Sequence, residues 1–339
     1  MGETGKIDRR FFEDVIASRL GAAREDVSTG PAHGVDFGVI DLGQGALALA
    51  TDPISILPEL GFERAGEFAI RFVLTDVAVS GLDPSHLAVS FALPPEMTDE
   101  EFGAAWTAID RECRDLGVAV TTGHTARYEG CSFPWVGHGT AMALGDEDDI
   151  IYPNGATPGD VVLVTKGPAV EAVGLLTTLF PDQLSVDEST LSTAQSRLDE
   201  TGAVRDARAV ADVEGVTAMH DATEGGLVGA FHEMAGSAGV RFDINTDGIP
   251  IRPGIEAATD ALGMDPWRAT SSGTLVVTVD PDYSEAVRDA LAERGTPVGV
   301  AGVVEQGEGV VVDGAATDPP TADASWPIYE RLLDEHKRR

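Results

Sequence analysis

Residues 216–227 read VTAMHDATEGGL: an apolar run that stops on a carboxylate, Asp221, and passes through Gly225 and Gly226. The run is short and flanked by turn formers, so it reads as a strand handing over to a helix that begins near Gly225. The same alternation continues outward in both directions. VVLVT (161–165) is a buried strand leading into a helix over 169–180, and polar helices fill about 186–212. Downstream, RFDIN, TLVVTV and PVGVAGVV read as strands, with a helix over 281–295. In the first half, ALALATDPI (46–54) is a strand, and residues 63–80 carry apolar side chains at helical spacing up to Gly81. A strand over 86–93 precedes the clearest helix, 98–117. There Thr98 and Glu101 form a capping box, Phe102, Ala105, Ile109, Cys113 and Leu116 make the apolar stripe, and Gly117 ends it. The strand VAVTT (118–122), a glycine turn and a strand near 133–144 follow. The acidic run Asp146–Asp149 and the turn-rich PNGATPGD mark a boundary, giving domains over 1–155 and 156–339. Several connections are short enough for antiparallel pairing, so the expectation is two α+β domains rather than a doubly wound sheet.

Charge is the strongest global signal. Fifty-seven acids face 23 bases, a formal net charge of −34, and only Lys6, Lys166 and Lys337 are lysines. Such a surface repels nucleic acid and anionic membranes, whose binding depends on positive charge. The acids are spread between apolar positions, which reads as a surface adapted to high salt, where self-repulsion is screened. No apolar stretch approaches the roughly 20 residues of a membrane span. The N-terminus, read as an amphipathic helix, lacks the layout of a secretory signal, so the expected location is cytoplasmic. Cys113 and Cys131 read as free, small apolar side chains.

No G-x-x-x-x-G-K-[ST], strand-to-helix G-x-G-x-x-G, H-E-x-x-H or G-x-S-x-G motif occurs. The chemistry-bearing signal is a set of aspartates. Asp36 lies in the glycine-rich GPAHGVDFGVID with Gly30 and Gly34; Asp52 ends an apolar strand; Asp221 ends VTAMHD. Asp76 sits mid-helix on the stripe of Phe68 and Phe72, where an ionised carboxylate is costly unless paired, hydrogen-bonded or metal-bound. Converging carboxylates suit Mg²⁺, which takes one or two of them plus phosphate oxygens, while glycines let backbone N–H groups approach phosphate. Aspartate at an element end is also the commonest cap or turn residue, and spacing alone leaves both readings open. Lys166, after a strand, is a candidate phosphate contact against a solvated turn. His220 is as readily packed at the strand end as catalytic. His232 and Glu233 read as surface or interface residues, and Trp106 and Trp135 as packing.

At these residues the chain resembles the aminoimidazole-ribonucleotide synthase (PurM)-like superfamily, which includes thiamine-monophosphate kinase and the hydrogenase maturation factor HypE, and it is nearest to the HypE branch. The resemblance rests on GPAHGVDFGVIDLGQGALALATD (30–52), FVLTDVAVSGLDPSHLAVSFALP (72–94), TTGHTARYEG (121–130) and HDATEGGLVGAFHEMA (220–235), with a weaker match over 271–295. It implies a two-domain fold whose N-terminal domains pair into a dimeric central β-barrel, hence a homodimer. It also implies ATP bound with Mg²⁺ at a cleft between domains and subunits, and a small-molecule acceptor that is activated or phosphorylated. Carried over by position, Asp36, Asp52, Asp76 and Asp221 hold metal, Gly30, Gly34, Asp36, Gly123, Thr125 and Asp221 hold the nucleotide, and His124 and Lys166 are the catalytic candidates. Three departures matter. His124 stands where the family turn carries an acid, and Val35 replaces the first acid of the glycine loop. The chain closes on YERLLDEHKRR, without the C-terminal cysteine expected of the HypE branch. Thiamine-monophosphate kinase, aminoimidazole-ribonucleotide synthase and a nucleotide-binding partner without catalysis stay open as alternatives.

Overall fold

The computed structural model describes residue 7 and residues 9–338 of the 339. The expected N-terminal helix falls partly outside these. Within them, α1 (Arg9–Phe11) runs on through short helical turns to Arg19. Contacts divide the chain into two units. Asp26–Gly30 and Asp36–Ile150 form the N-terminal unit. The described residues up to Glu25, Pro31–Val35 and everything from Ile151 form the C-terminal unit.

The N-terminal unit is built on an open six-stranded sheet, β1 (Val27–Thr29), β2 (Gly38–Asp41), β3 (Ala46–Ser55), β4 (Pro84–Leu93), β5 (Ala119–Arg127) and β6 (Trp135–Gly145), in the order β1-β2-β3-β6-β4-β5. All neighbours are antiparallel except β4 and β5, which need a crossover. That crossover is α3 (Asp99–Leu116), preceded in the chain by α2 (Phe62–Ala78). The capping box of α3 is formed: Glu101 N–H donates to Thr98 Oγ1 at 3.2 Å, and Thr98 N–H donates to Glu101 Oε2 at 2.8 Å. Gly117 closes it in the left-handed conformation, φ 78°. β3 alternates as a half-buried strand must: Ala46, Ala48, Ala50 and Ile54 are buried, and Asp52 shares their face. α2 covers that face, because a Cβ on Gly139 of β6 would meet Val73 Cγ1 at 2.9 Å and Ile54 Cδ1 at 3.6 Å. The opposite face stays open, with Trp135 57% and Leu144 50% exposed. Trp135 therefore does not pack as its size suggests, whereas Trp106 does, against Phe91 and Phe102. Among the described residues the single chain shows no closed barrel.

The C-terminal unit carries seven strands. These are β7 (Val161–Thr165), β8 (Val216–Asp221), β9 (Arg241–Ile244), β10 (Leu275–Val279), β11 (Val298–Glu305), β12 (Gly309–Val312) and β13 (Ala315–Thr317), ordered β13-β12-β9-β11-β7-β10-β8. Only β9 and β12 run parallel. Its helices are α4 (Val170–Leu179), α5 (Glu188–Gln195), α6 (Val204–Ala211), α7 (Gly226–Ala238), α8 (Ile255–Leu262), α9 (Ser284–Glu293) and α10 (Ser325–Arg338). One core joins β7, β8, β9 and β10 to α7 through Val162, Val164, Val276, Leu227, Phe231 and Phe242. A second joins α4, α5, α8 and α10 through Leu176, Ala194, Ile255 and Leu332. β10 is buried along its whole length, as a central strand covered on both faces must be.

Candidate functional site

In the C-terminal unit the opening stretch folds as its sequence indicates: β8 ends on Asp221 and α7 starts at Gly226. The two glycines are required by packing. Gly225 and Gly226 have φ of 82° and 60°, and a Cβ on Gly226 would lie 2.6 Å from the Ala269 carbonyl oxygen. The Gly225 N–H donates to Asp323 Oδ2 at 2.8 Å. Asp221 is 1% exposed, and beside it lie His220, which the sequence reads as either packed or catalytic, and Glu233, which it reads as a surface or interface residue. His220 is fully buried, and its Nε2 is 2.9 Å from Glu233 Oε2 on α7, a side chain 11% exposed. Its Nδ1 lies 3.9 Å from Asp221 Oδ1. Gly34 closes over this pair: φ is 76°, and a Cβ there would stand 2.9 Å from Glu233 Cβ. A strand residue and a helix residue thirteen positions apart carry no shared sequence signal, so only the packing of α7 against β8 reveals them.

A further acidic group sits at the start of α4. Glu171 accepts the hydroxyls of Thr270 and Ser272, each at 2.6 Å. Burial pushes its carboxyl up to about 6, the two hydroxyls pull the other way, and the charges of Asp323 and Glu224 add to the rise. Burial likewise raises the Asp323 carboxyl against its bonds from Ser325 and Gly225.

In the N-terminal unit Asp52 is half-buried on the helix-facing side of β3, opposite Gly139 of β6. Val73 of α2 lies over Gly139, and Asp76, half-buried, is three residues further along the same helix. The structure thus brings Asp52 and Asp76 to one helix–sheet interface. Asp36 lies half-buried in the extended segment before β2, and Gly30 follows β1. The glycine loop is divided, since Gly30 and Asp36 belong to this unit while Gly34 belongs to the other.

Two expectations need correction. Gly123, His124 and Thr125 form no turn; they lie inside β5, paired with Val89, Ser90 and Phe91 of β4. Gly123 is needed because a Cβ would come within 2.7 Å of the Val89 carbonyl oxygen. His124 shares a cross-strand row with Ser90 and His138 on the open sheet face, opposite to Asp52, and its Nε2 is 3.1 Å from the Tyr128 hydroxyl. Lys166 is no solvated turn residue and does not point into an open pocket. Its side chain is 8% exposed and pairs with Asp206 Oδ2 at 3.0 Å. The ammonium also donates to the Glu200 and Gly202 carbonyls at 3.0 and 2.9 Å. Burial alone would raise the Asp206 carboxyl, but Lys166, Thr296 and Arg294 together hold it below the usual carboxylate range. This is a structural ion pair that ties β7 to the α5–α6 region.

Each unit holds carboxylates of the kind a divalent cation takes, Asp52 and Asp76 in the N-terminal unit and Asp221 in the C-terminal one. Among the described residues no helix is long and apolar enough to cross a membrane.

Family models for AIR synthase related proteins match twice, the N-terminal domain over residues 34–141 and the C-terminal domain over 157–314. Carbamoyl dehydratase HypE of Bradyrhizobium diazoefficiens is 25% identical over 321 residues, covering 91% of this chain and 87% of its own. The crystal structure of Escherichia coli HypE superposes with a TM-score of 0.72 at 26% identity, over 90% of this chain and 96% of that one. Two more distant structures share the fold. AaThiL complexed with AMPPCP and TMP has a TM-score of 0.74 at 19% identity, covering 95% and 99% of the two chains. A HypE in complex with ATP has a TM-score of 0.69 at 21% identity, covering 96% and 98%. With both of its domains matched in order, the chain belongs to the AIR synthase related family.

Proposed function

We propose that this protein is an ATP-dependent enzyme that binds ATP with Mg²⁺ and cleaves it while activating or phosphorylating an oxygen of a small acceptor. The observation that carries the reading is Asp221: a carboxylate 1% exposed at the carboxyl end of a strand, backed by His220 and Glu233. A carboxylate buried at the carboxyl end of a strand is a hard oxygen donor of the kind a nucleotide-bound divalent cation takes. Asp52 and Asp76 serve the same chemistry in the N-terminal unit, with Asp36 as a further ligand. Gly30, Gly34, Gly123 and Thr125 are the nucleotide-binding positions carried over by family. Bound ATP would furnish the phosphoryl group, and the protein's share is positioning and charge neutralisation. His124, exposed and hydrogen-bonded to Tyr128, remains the acid–base candidate; Lys166 is not given a catalytic role.

The HypE relatives favour carbamoyl-type acceptors over thiamine monophosphate, and the acids missing at Val35 and His124 point the same way. A homodimer is supported by the uncovered sheet face around Trp135 and Leu144, with β5 as an edge strand. The −34 charge favours a high-salt cytoplasm.

The test is to incubate the protein with ATP, Mg²⁺ and a small-metabolite extract in molar KCl and follow ADP and new masses. Wild type should release ADP with an acceptor fraction, and Asp52→Asn should lower the rate at least tenfold. Nucleotide bound but never cleaved with any fraction would favour the non-catalytic alternative.

A further inference from the structure

We propose that His220 is a nitrogen ligand in the cation site at Asp221, so that this site accepts first-row divalent ions that take an imidazole donor as well as Mg²⁺, with Mn²⁺ as their spectroscopic probe. The inference rests on the reading of Asp221 as an ion-binding carboxylate and adds the identity of a second ligand. Its basis is the orientation of one ring. His220 is fully buried with Nε2 2.9 Å from Glu233 Oε2. A carboxylate accepts there, so Nε2 carries the proton and the Nδ1 lone pair is set toward the other side. That side holds Asp221, whose Oδ1 is 3.9 Å from Nδ1. Two ligands of one ion with bonds of about 2.1 Å can stand this far apart at an obtuse angle. A histidine whose second nitrogen donates to a carboxylate is the arrangement that fixes metal-ligating imidazoles.

The ring has little freedom. Glu233 is fixed on α7 and overlain by Gly34, whose missing Cβ leaves room only for the Glu233 backbone and Cβ. Packing therefore transmits from the glycine loop through Glu233 to the imidazole. Glu233 is a positioning residue, and His220 and Asp221 are the ligands. Mg²⁺ prefers oxygen donors, whereas imidazole suits the later first-row ions.

The experiment is electron spin-echo envelope modulation on the whole protein loaded with Mn²⁺, with and without ATP. Wild type should show the modulation of a directly bound ¹⁴N, replaced by the ¹⁵N pattern when the protein is labelled with ¹⁵N-histidine. The modulation should vanish in His220→Gln, and the Mn²⁺ dissociation constant should rise at least tenfold. Glu233→Ala should weaken Mn²⁺ about 10–100-fold, and Glu233→Gln, which keeps an acceptor, less. The labelling arm needs no variant to fold. Stoichiometric Mn²⁺ without nitrogen modulation overturns the inference and leaves the carboxylate site intact, with His220 bridging two acids as a charged ring. Modulation surviving in His220→Gln overturns it in favour of another histidine. No Mn²⁺ bound in either condition overturns both this inference and the ion-binding reading beneath it.

Discussion

Lys166 shows how a residue's position in sequence and its place in the fold can part. A lone lysine after a strand, in a chain with three lysines, looks like a phosphate contact. Its ammonium instead satisfies two carbonyls and Asp206 in the interior. Removing one partner of a buried pair leaves an uncompensated charge, so Lys166→Met should cost about 3 kcal/mol of unfolding free energy. Denaturant unfolding measures the cost, with nucleotide affinity of the folded variant unchanged; a lost affinity at an unmoved midpoint would restore the phosphate role. Glu171 makes a pH prediction. Its folded-state carboxyl ionises near 6 rather than 4.5. A raised acid is stabilising while protonated, so its contribution is full below about pH 4.5 and is lost as pH climbs through about 6. Glu171→Gln should therefore gain up to about 2 kcal/mol over wild type at pH 7.5 and little at pH 4.5. Thermal unfolding of both proteins at the two pH values tests this, and a pH-independent difference would contradict it.

At the scale of elements, periodicity and caps were legible and tertiary proximity was not. The Thr98–Glu101 box, the Gly117 stop, the strand over 161–165 and the start of α7 stand where their residues place them. The first half of β5 reads as a strand, but from Gly123 on a glycine followed by a polar run resembles a turn, while the β4 backbone beside Gly123 makes glycine a strand requirement. β12, β13, α8 and α10 went unassigned. Short strands such as Gly309–Val312 carry too few residues for alternation to register, and in α10 the buried Leu332 sits among charges. His220 and Glu233 were individually visible, but their pairing exists only once α7 packs on β8. The seat of α2 is open to test. Gly139 already has Val73 within 2.9 Å of a virtual Cβ, so Gly139→Val must lift α2 and with it Asp76 away from Asp52. Overpacking of this kind costs about 1–3 kcal/mol, and nucleotide affinity should fall as well. Calorimetric titration of a variant shown to be folded checks this; full affinity would mean that the two carboxylates do not act together.

Over the whole molecule, composition speaks to surroundings and the fold to chemistry. The −34 charge disfavours polyanionic ligands and sets the condition for any assay, namely salt high enough to screen self-repulsion. Two α+β units matched in order by the family models are what the fold contributes, and the proposed nucleotide–metal chemistry rests on acids such as Asp52, Asp76 and Asp221 carried by their strands and helices. The most direct measurement is isothermal titration of ATP with a divalent ion into wild type and Asp221→Asn in molar KCl. Wild type should give a stoichiometric binding heat that needs the ion, and Asp221→Asn should lose at least tenfold in affinity while unfolding at a similar temperature. No heat from wild type, together with a melting temperature that ATP and the ion leave unmoved, would contradict the nucleotide reading outright.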